Sequence, residues 1–218
     1  MRGHLGSQRL TGLVNNAGIT THGPLLEMPM KRLNDQMNTN FLGTLNVIRA
    51  FAPLLGTDPD LSGPAGRIVN ISSGTATVVP PFSGSYAIAS AAINAMSEAL
   101  RRELLLVGID VIIFSIGNTV TPFWDKAEAE DTEQYRNSIF FEALMRFRRQ
   151  ILEYARNQGR SAEETAILIG KALTASRPKA KYVISPNLLV NYIWPRLLPR
   201  RTLDRVLGRS LGLLPPKG

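Results

Sequence analysis

The sequence predicts an α/β fold, a doubly wound parallel sheet, on three observations. Two runs, Gly66 to Ser73 and Ile109 to Ser115, are β-branched and almost continuously apolar, as strands buried on both faces must be. Segments with apolar residues at three- and four-residue spacing lie between such runs, so strand and helix alternate. The clusters of small polar residues fall at the carboxyl ends of strands, where open parallel sheets bind ligands.

Taken in order, Leu10 to Asn15 reads as the first strand, interrupted at Gly12 and followed by the polar turn Asn15-Asn16-Ala17-Gly18. Leu33, Met37, Phe41, Leu45 and Ile48 predict an amphipathic helix ending near Pro53. Thr57 to Gly66 reads as an exposed loop before the second strand, Gly66 to Ser73. Ala87 to Val107, rich in alanine and leucine, predicts a helix stopped by Gly108 ahead of the third strand. Ser161-Ala-Glu-Glu164 has the form of a capping box before Ile167, Leu168, Ala172 and Leu173, and Lys181 to Ser185 is a fourth, shorter strand. From Pro199 onward, Leu203, Val206, Leu207 and Leu211 recur at helical spacing while Arg201, Arg205 and Arg209 occupy another face. No repeat or linker divides the chain, so residues 1–218 are expected to form one domain with a basic amphipathic segment over about 187–218.

Composition narrows the chemistry. The absence of cysteine excludes disulfides, thiolate catalysis and Cys-ligated metal, and fits a reducing cytoplasm. His4 and His22 have no partner at ligand spacing, so no metal site is expected. The net charge of +8 is a property of the C-terminal part: residues 1–140 carry 10 Lys/Arg against 12 Asp/Glu, residues 141–218 carry 15 against 5. Such a basic tail suits an acidic membrane surface, nucleic acid or a phosphorylated ligand, but a solvated arginine-rich surface is the favoured reading, and no nucleic-acid-binding signature accompanies it. No apolar run is long enough to span a membrane, and no apolar stretch follows Met1 as in a signal peptide.

Singly, Asn-Asn-Ala-Gly is an ordinary turn, Ser72-Ser73-Gly74 an ordinary strand exit, and Tyr86 an ordinary partly buried aromatic. Together, Asn15-Asn16-Ala17-Gly18, Asn38-Thr39-Asn40-Phe41-Leu42-Gly43, Ile71-Ser72-Ser73, Tyr86 thirteen residues after Ser73, and Gly117-Asn118-Thr119-Val120-Thr121 resemble the short-chain dehydrogenase/reductase family over nearly the whole chain. The resemblance implies a Rossmann-like sheet and hydride transfer between NAD or NADP and an alcohol or carbonyl. It implies Tyr86 as the acid/base, Ser73 as the holder of the substrate oxygen, and Asn40 in a proton relay. Asn16, Ala17, Gly18, Gly117, Thr119 and Thr121 would lie along the cofactor. A homo-oligomer is implied as well. The tail residues Leu197-Leu198-Pro199, Leu203-Asp204-Arg205 and Leu207 are similar to the branch acting on hydroxybutyrate, retinol or steroids. Phe123, Trp124, Phe140, Phe141, Leu144, Met145 and Phe147 stand in the segment that walls the substrate in that family; they suit an apolar alcohol or ketone, and equally an ordinary helical core. The tail helix is expected to dock on its own domain over the substrate opening, with weak membrane-surface contact as the second version.

Two departures from the family pattern stand out. The family places a lysine four residues after the tyrosine, where its charge favours the phenolate and its ammonium holds the cofactor ribose; here Ser90 occupies that place, and the lysines of residues 1–140 are Lys31 and Lys126. A lesser difference is Ile116 where the family has proline. The second departure is that the chain begins at the family's fourth strand: the first three strands, with the Gly-rich turn that receives the pyrophosphate at a helix N-terminus, are absent, which leaves an N-terminally incomplete sheet with the first remaining strand at its edge. Weak cofactor binding by this chain alone and impaired turnover are therefore expected. The alternative is a non-catalytic remnant that serves as an oligomerisation or partner-binding scaffold.

Overall fold

The computed structural model describes residues 6–215. Four parallel strands form the main sheet in the order β1 (Gly12–Asn15), β2 (Arg67–Ser73), β3 (Asp110–Ile116) and β6 (Lys181–Ile184). Among the described residues nothing pairs with the outer side of β1, so the expected edge strand is present. The expected first strand is shorter than its apolar run: Leu10 N donates to the Leu54 carbonyl instead of to β2, and the Thr11 carbonyl makes the first contact with β2 by accepting from Arg67 N.

Alternating residues of the buried strands serve two cores, which makes the sheet doubly wound. On one face Ile68 and Val111 meet Ile48 and Leu55. A helical run of α1 (Met30–Gln36) and a π-helical stretch Met37–Leu42 leads into α2 (Gly43–Ala52), which supplies Ile48, and a second π turn Pro53–Thr57, which supplies Leu55. Against the same face lies α3 (Gly84–Glu103), whose buried Ser85, Ala87, Ala89 and Ser90 are small enough for close approach to the sheet. Its end is as the sequence requires: after a last tightened turn, Gly108 takes the left-handed conformation, φ 74°. On the other face Val69, Ile112, Phe114 and Ile184 pack with Ala172 of α6 (Ala162–Thr174), whose N-terminus is capped by Ser161 Oγ accepting from Glu164 N at 3.0 Å.

The third core lies off the sheet. It joins Phe82 and Tyr135 to Leu144 and Phe147 of α5 (Phe141–Gln158) and to Leu211 of α8 (Arg200–Leu211), which follows the short α7 (Trp194–Leu197). Two of its members answer the open question about the aromatic segment: Leu144 and Phe147 are core, spent on Phe82 and the C-terminal helix. Phe82 itself has φ 65°, a strained conformation for a bulky residue, and its carbonyl accepts from Gly23 N at 3.0 Å just before α3 begins. The short pair β4 (Thr119–Val120) and β5 (Arg160–Ser161), and α4 (Phe123–Glu128) between them, close the structure beyond β3.

Candidate active site

The carboxyl ends of β1, β2 and β3 stand side by side, with Asn15 opposite Asn70 and Ser73 opposite Ile116 in register. A chain of buried amides and hydroxyls ties them to α3: Asn15 Nδ2 donates to Asn70 Oδ1 at 2.8 Å, Asn70 Nδ2 to Ser97 Oγ at 2.9 Å, and Ser97 Oγ to the Ile93 carbonyl at 2.6 Å. Ser72 Oγ donates to the Ser90 carbonyl at 3.2 Å, fixing β2 against α3 one turn beyond Tyr86. These bonds satisfy groups whose burial would otherwise be costly.

Ser73 is buried and its Oγ accepts from Thr75 N at 3.2 Å, which turns the chain at the strand exit. Tyr86, in the first turn of α3, reaches the Ser73 side chain, and its ring meets that of Phe123 at 6.2 Å. Burial pushes the Tyr86 phenol above its ordinary pKa of 10.0, and the hydrogen bond with Ser73 offsets this only in part. Ser90, one turn further, is buried and uncharged. Asn40 lies in the π-helical stretch, which packs against α3. Its amide is fully engaged with the backbone of Ile19: Nδ2 donates to the carbonyl at 2.9 Å and Oδ1 accepts from the N–H at 2.8 Å. Thr44 Oγ1 donates to the Asn40 carbonyl at 2.7 Å.

Asn16, Ala17 and Gly18 are exposed at the end of β1, and a Cβ on Gly18 would stand 3.5 Å from Asn40 Oδ1. The structure thus joins Gly18 to Asn40 and Ser73 to Tyr86. Gly117 approaches the neighbouring strand so closely that a Cβ would lie 3.2 Å from the Ile184 carbonyl, which accepts from Gly117 N at 2.7 Å. Thr119 and Thr121 lie further along this loop: the Thr119 carbonyl accepts from Trp124 Nε1 at 3.0 Å, and Thr121 lines a small cavity with Trp124 and Leu152.

A larger cavity, about 290 Å³, opens beside the Ser73 turn. Val78, Pro80, Val183, Ile184, Val190 and Pro195 give it apolar walls. Its polar lining includes Thr75, Ser115 and Asn118, each with a buried side-chain atom that has no partner (Oγ1, Oγ and Nδ2). Asn118 stands in the Gly117–Thr121 motif already singled out at this strand end, whereas nothing in the sequence marked Thr75 or Ser115 for the site, although Ser115 is a polar residue inside an apolar strand. Nor did it see the wall from residues 190–195. Helix α8 lines neither of these cavities: it docks on α5, where Leu211 is buried and the Leu211 and Ser210 carbonyls accept from Arg146 and Gln150. The tail therefore covers its own domain as expected, but away from this opening, and Val206 is left exposed.

A second cluster of charge lies one loop away. Glu130 accepts from Thr21 Oγ1, from His22 N at 3.0 Å and from Arg32 Nη1 at 3.1 Å, with Arg148 Nη1 at 3.6 Å. Arg148 is buried, and its Nη2 donates to the Glu128 and Glu130 carbonyls. Burial alone would raise the Glu130 pKa, yet the hydrogen bonds from His22 and Thr21 and the charge of His22 hold it below the ordinary 4.5.

The family model described as short chain dehydrogenase matches residues 3–132. This chain is a member of the short-chain dehydrogenase family. It is 29% identical over 207 residues to an NADPH-dependent 3-dehydrocapnine reductase of Ornithobacterium rhinotracheale, covering 95% of this chain and 72% of that protein. It is 30% identical to retinol dehydrogenase 16 of Mus musculus, covering 94% of this chain and 65% of that protein. A crystal structure of a short chain dehydrogenase from Burkholderia cenocepacia in complex with NADP superposes with a TM-score of 0.63 at 25% identity, over 91% of this chain and 70% of that one. No helix among the described residues is long and apolar enough to cross a membrane, and no group of side chains there could hold a metal ion.

Proposed function

We propose that this short-chain dehydrogenase carries the acid/base site of an NAD(P)-dependent oxidoreductase for an apolar alcohol or ketone, impaired at its proton-transfer step by Ser90. The observation that carries this reading is the Ser73–Tyr86 pair at the end of β2: two hydroxyls in contact, one a partly buried phenol, with the next residues, Gly74 and Thr75, lining a cavity with apolar walls. Ser73 would hold the substrate oxygen by a hydrogen bond, and Tyr86 would give it a proton during reduction or take one during oxidation. Asn40, through its two bonds to Ile19, holds the loop after β1 and so positions Gly18. The residues after β3 fit a nicotinamide carboxamide, because Asn118 Nδ2 and Thr119 Oγ1 are buried without partners there. When bound, the nicotinamide supplies or accepts the hydride. Asn16, Ala17, Gly18, Gly117, Thr119 and Thr121 are the cofactor contacts of this reading. Among the described residues no Gly-rich turn leads from a strand into a helix.

The protonated phenol is a fit donor for reduction, but with its pKa raised it is a poor base for oxidation at neutral pH. Slow reduction of apolar ketones or aldehydes is expected with NADH or NADPH at high concentration, lost in Tyr86→Phe. Turnover unchanged by that substitution would overturn the assignment. The second reading, a non-catalytic scaffold that oligomerises or binds a partner, draws on the buried uncharged Ser90. It predicts no turnover and no nucleotide binding by calorimetry, even in Ser90→Lys.

A further inference from the structure

One helical run bounds the 290 Å³ cavity on its inner side and meets solvent on its outer side. It comprises a π turn, Leu189–Ile193, continued by α7. Asn191, Tyr192 and Pro195 face the cavity together with part of Val190. Outward, Leu189, Val190, Trp194 and Leu197 are 59%, 58%, 59% and 71% exposed, and Leu188 just before them is exposed too. Val190, Trp194 and Leu197 are four and three residues apart and share one stripe. Trp and Leu at such exposure and adjacent to one another form a surface that water does not favour.

The charge of this part of the chain is predominantly basic. Residues 187–218 carry six basic side chains and one acidic, Asp204. Arg196 is held over the Tyr192 ring, 4.9 Å from its centre, and donates to the Tyr192 hydroxyl. Arg200, Arg201 and Arg205 follow, all exposed. We propose that this stripe and its arginines are the face by which the chain lies on an anionic lipid bilayer. The apolar residues enter the boundary of headgroup and acyl chain while the arginines meet lipid phosphate, which is how interfacial helices bind. A second copy of the chain is the poorer occupant, because a two-fold contact would bring the same arginines of both copies together. The chain's own helix α8 does not cover the stripe, since its buried residue Leu211 is engaged with α5.

Delivery of an apolar substrate from the bilayer to the cavity rests on the reading of that cavity given above. Docking itself does not, and its test needs neither nucleotide nor turnover. The full chain is sedimented with phosphatidylcholine vesicles, with and without phosphatidylserine, at low and physiological salt. Binding is expected only with phosphatidylserine, weaker at higher salt, with a blue shift of Trp194 fluorescence in a Trp124→Phe background. Trp194→Ser with Leu197→Ser should weaken binding on the order of tenfold or more. Each of Arg200→Gln, Arg201→Gln and Arg205→Gln should weaken it roughly fivefold. The side chains of Trp194, Leu197, Arg200, Arg201 and Arg205 are exposed, each effect is read against the Trp124→Phe background, and unchanged circular dichroism and melting establish that the variants fold. No sedimentation with phosphatidylserine vesicles at low salt overturns the proposal. So does self-association that Leu197→Ser abolishes, since the face would then belong to a second copy.

Discussion

Two groups in this molecule are both withdrawn from water and both able to ionise, and the protein treats them oppositely. Around Glu130 it places Arg32, Arg148, His22 and Thr21, enough donors to keep the carboxylate charged despite its burial. Around Tyr86 it places Ser73, the Phe123 ring and, one turn along α3, the buried Ser90, and the phenol is left neutral. The first arrangement is a structural clamp: it fastens the loop after β1 and the N-terminal part of α1 to the segment between α4 and α5. The second keeps its proton until something else supplies charge. Compensation at Glu130 and its absence at Tyr86 separate a site that must stay ionised to hold the fold from one whose ionisation is open to chemistry.

The largest effect should come from breaking the compensated site. Glu130→Ala strands the buried Arg148 and frees three elements from one anchor, so a loss of about 3–5 kcal/mol in urea unfolding is expected. The pH dependence has a definite sign. Because the folded carboxyl titrates below 4.5, its contribution is complete above that value and is lost as pH falls through the lower folded pKa. Wild-type stability should therefore drop on acidification in that range, and Glu130→Gln should lack this part of the drop. Equal acid sensitivity of the two proteins would show that the clamp does not depend on the charge.

The contrast between these sites also marks what the sequence could and could not disclose. The buried strands were legible because a strand wrapped on both faces must be apolar throughout, as Ile68-Val69 and Val111-Ile112-Ile113-Phe114 are. Helix ends were legible where a single residue enforces them, as Gly108 and Ser161 do. The Ser73–Tyr86 pair was named through the resemblance to the family, which the order and spacing of the motifs carry. The Glu130 clamp was not legible: Thr21 and His22 are more than 100 residues from Glu130, and no local pattern relates them. His22 looked isolated because its partner is brought by topology alone. The π-helical stretch at Asn40 was hidden for another reason, since one widened turn barely disturbs three- and four-residue spacing. Strands of two residues, β4 and β5, are too short to carry any periodicity.

A second substitution sharpens the comparison by giving Tyr86 what Glu130 already has. Ser90→Lys introduces an ammonium one turn from the phenol, which should lower the Tyr86 pKa. A difference titration of phenolate absorbance against Tyr86→Phe in the same background isolates this tyrosine from the other four. The added side chain enters a packed position, so a stability cost of roughly 1–3 kcal/mol is expected alongside. Turnover in the direction of oxidation should rise with it. A Tyr86 ionisation that does not move would mean that position 90 does not address the phenol in this fold.

The smallest effect is the most discriminating. Tyr86→Phe removes only the hydroxyl: the ring contact with Phe123 remains, and Ser73 Oγ keeps its bond from Thr75 N. A neutral hydrogen bond contributes little net stability, and the group removed is itself costly to bury. The two terms oppose, so the unfolding free energy should change by less than about 1 kcal/mol. Urea denaturation of Tyr86→Phe beside Glu130→Ala measures this directly. A loss comparable to that of Glu130→Ala would make the phenol a second structural anchor and would remove the reason to regard Tyr86 as the chemical member of the pair. A near-neutral result, with activity lost, leaves a hydroxyl whose presence the fold does not require, and chemistry then remains as the role for a phenol buried against a serine at the end of a parallel strand.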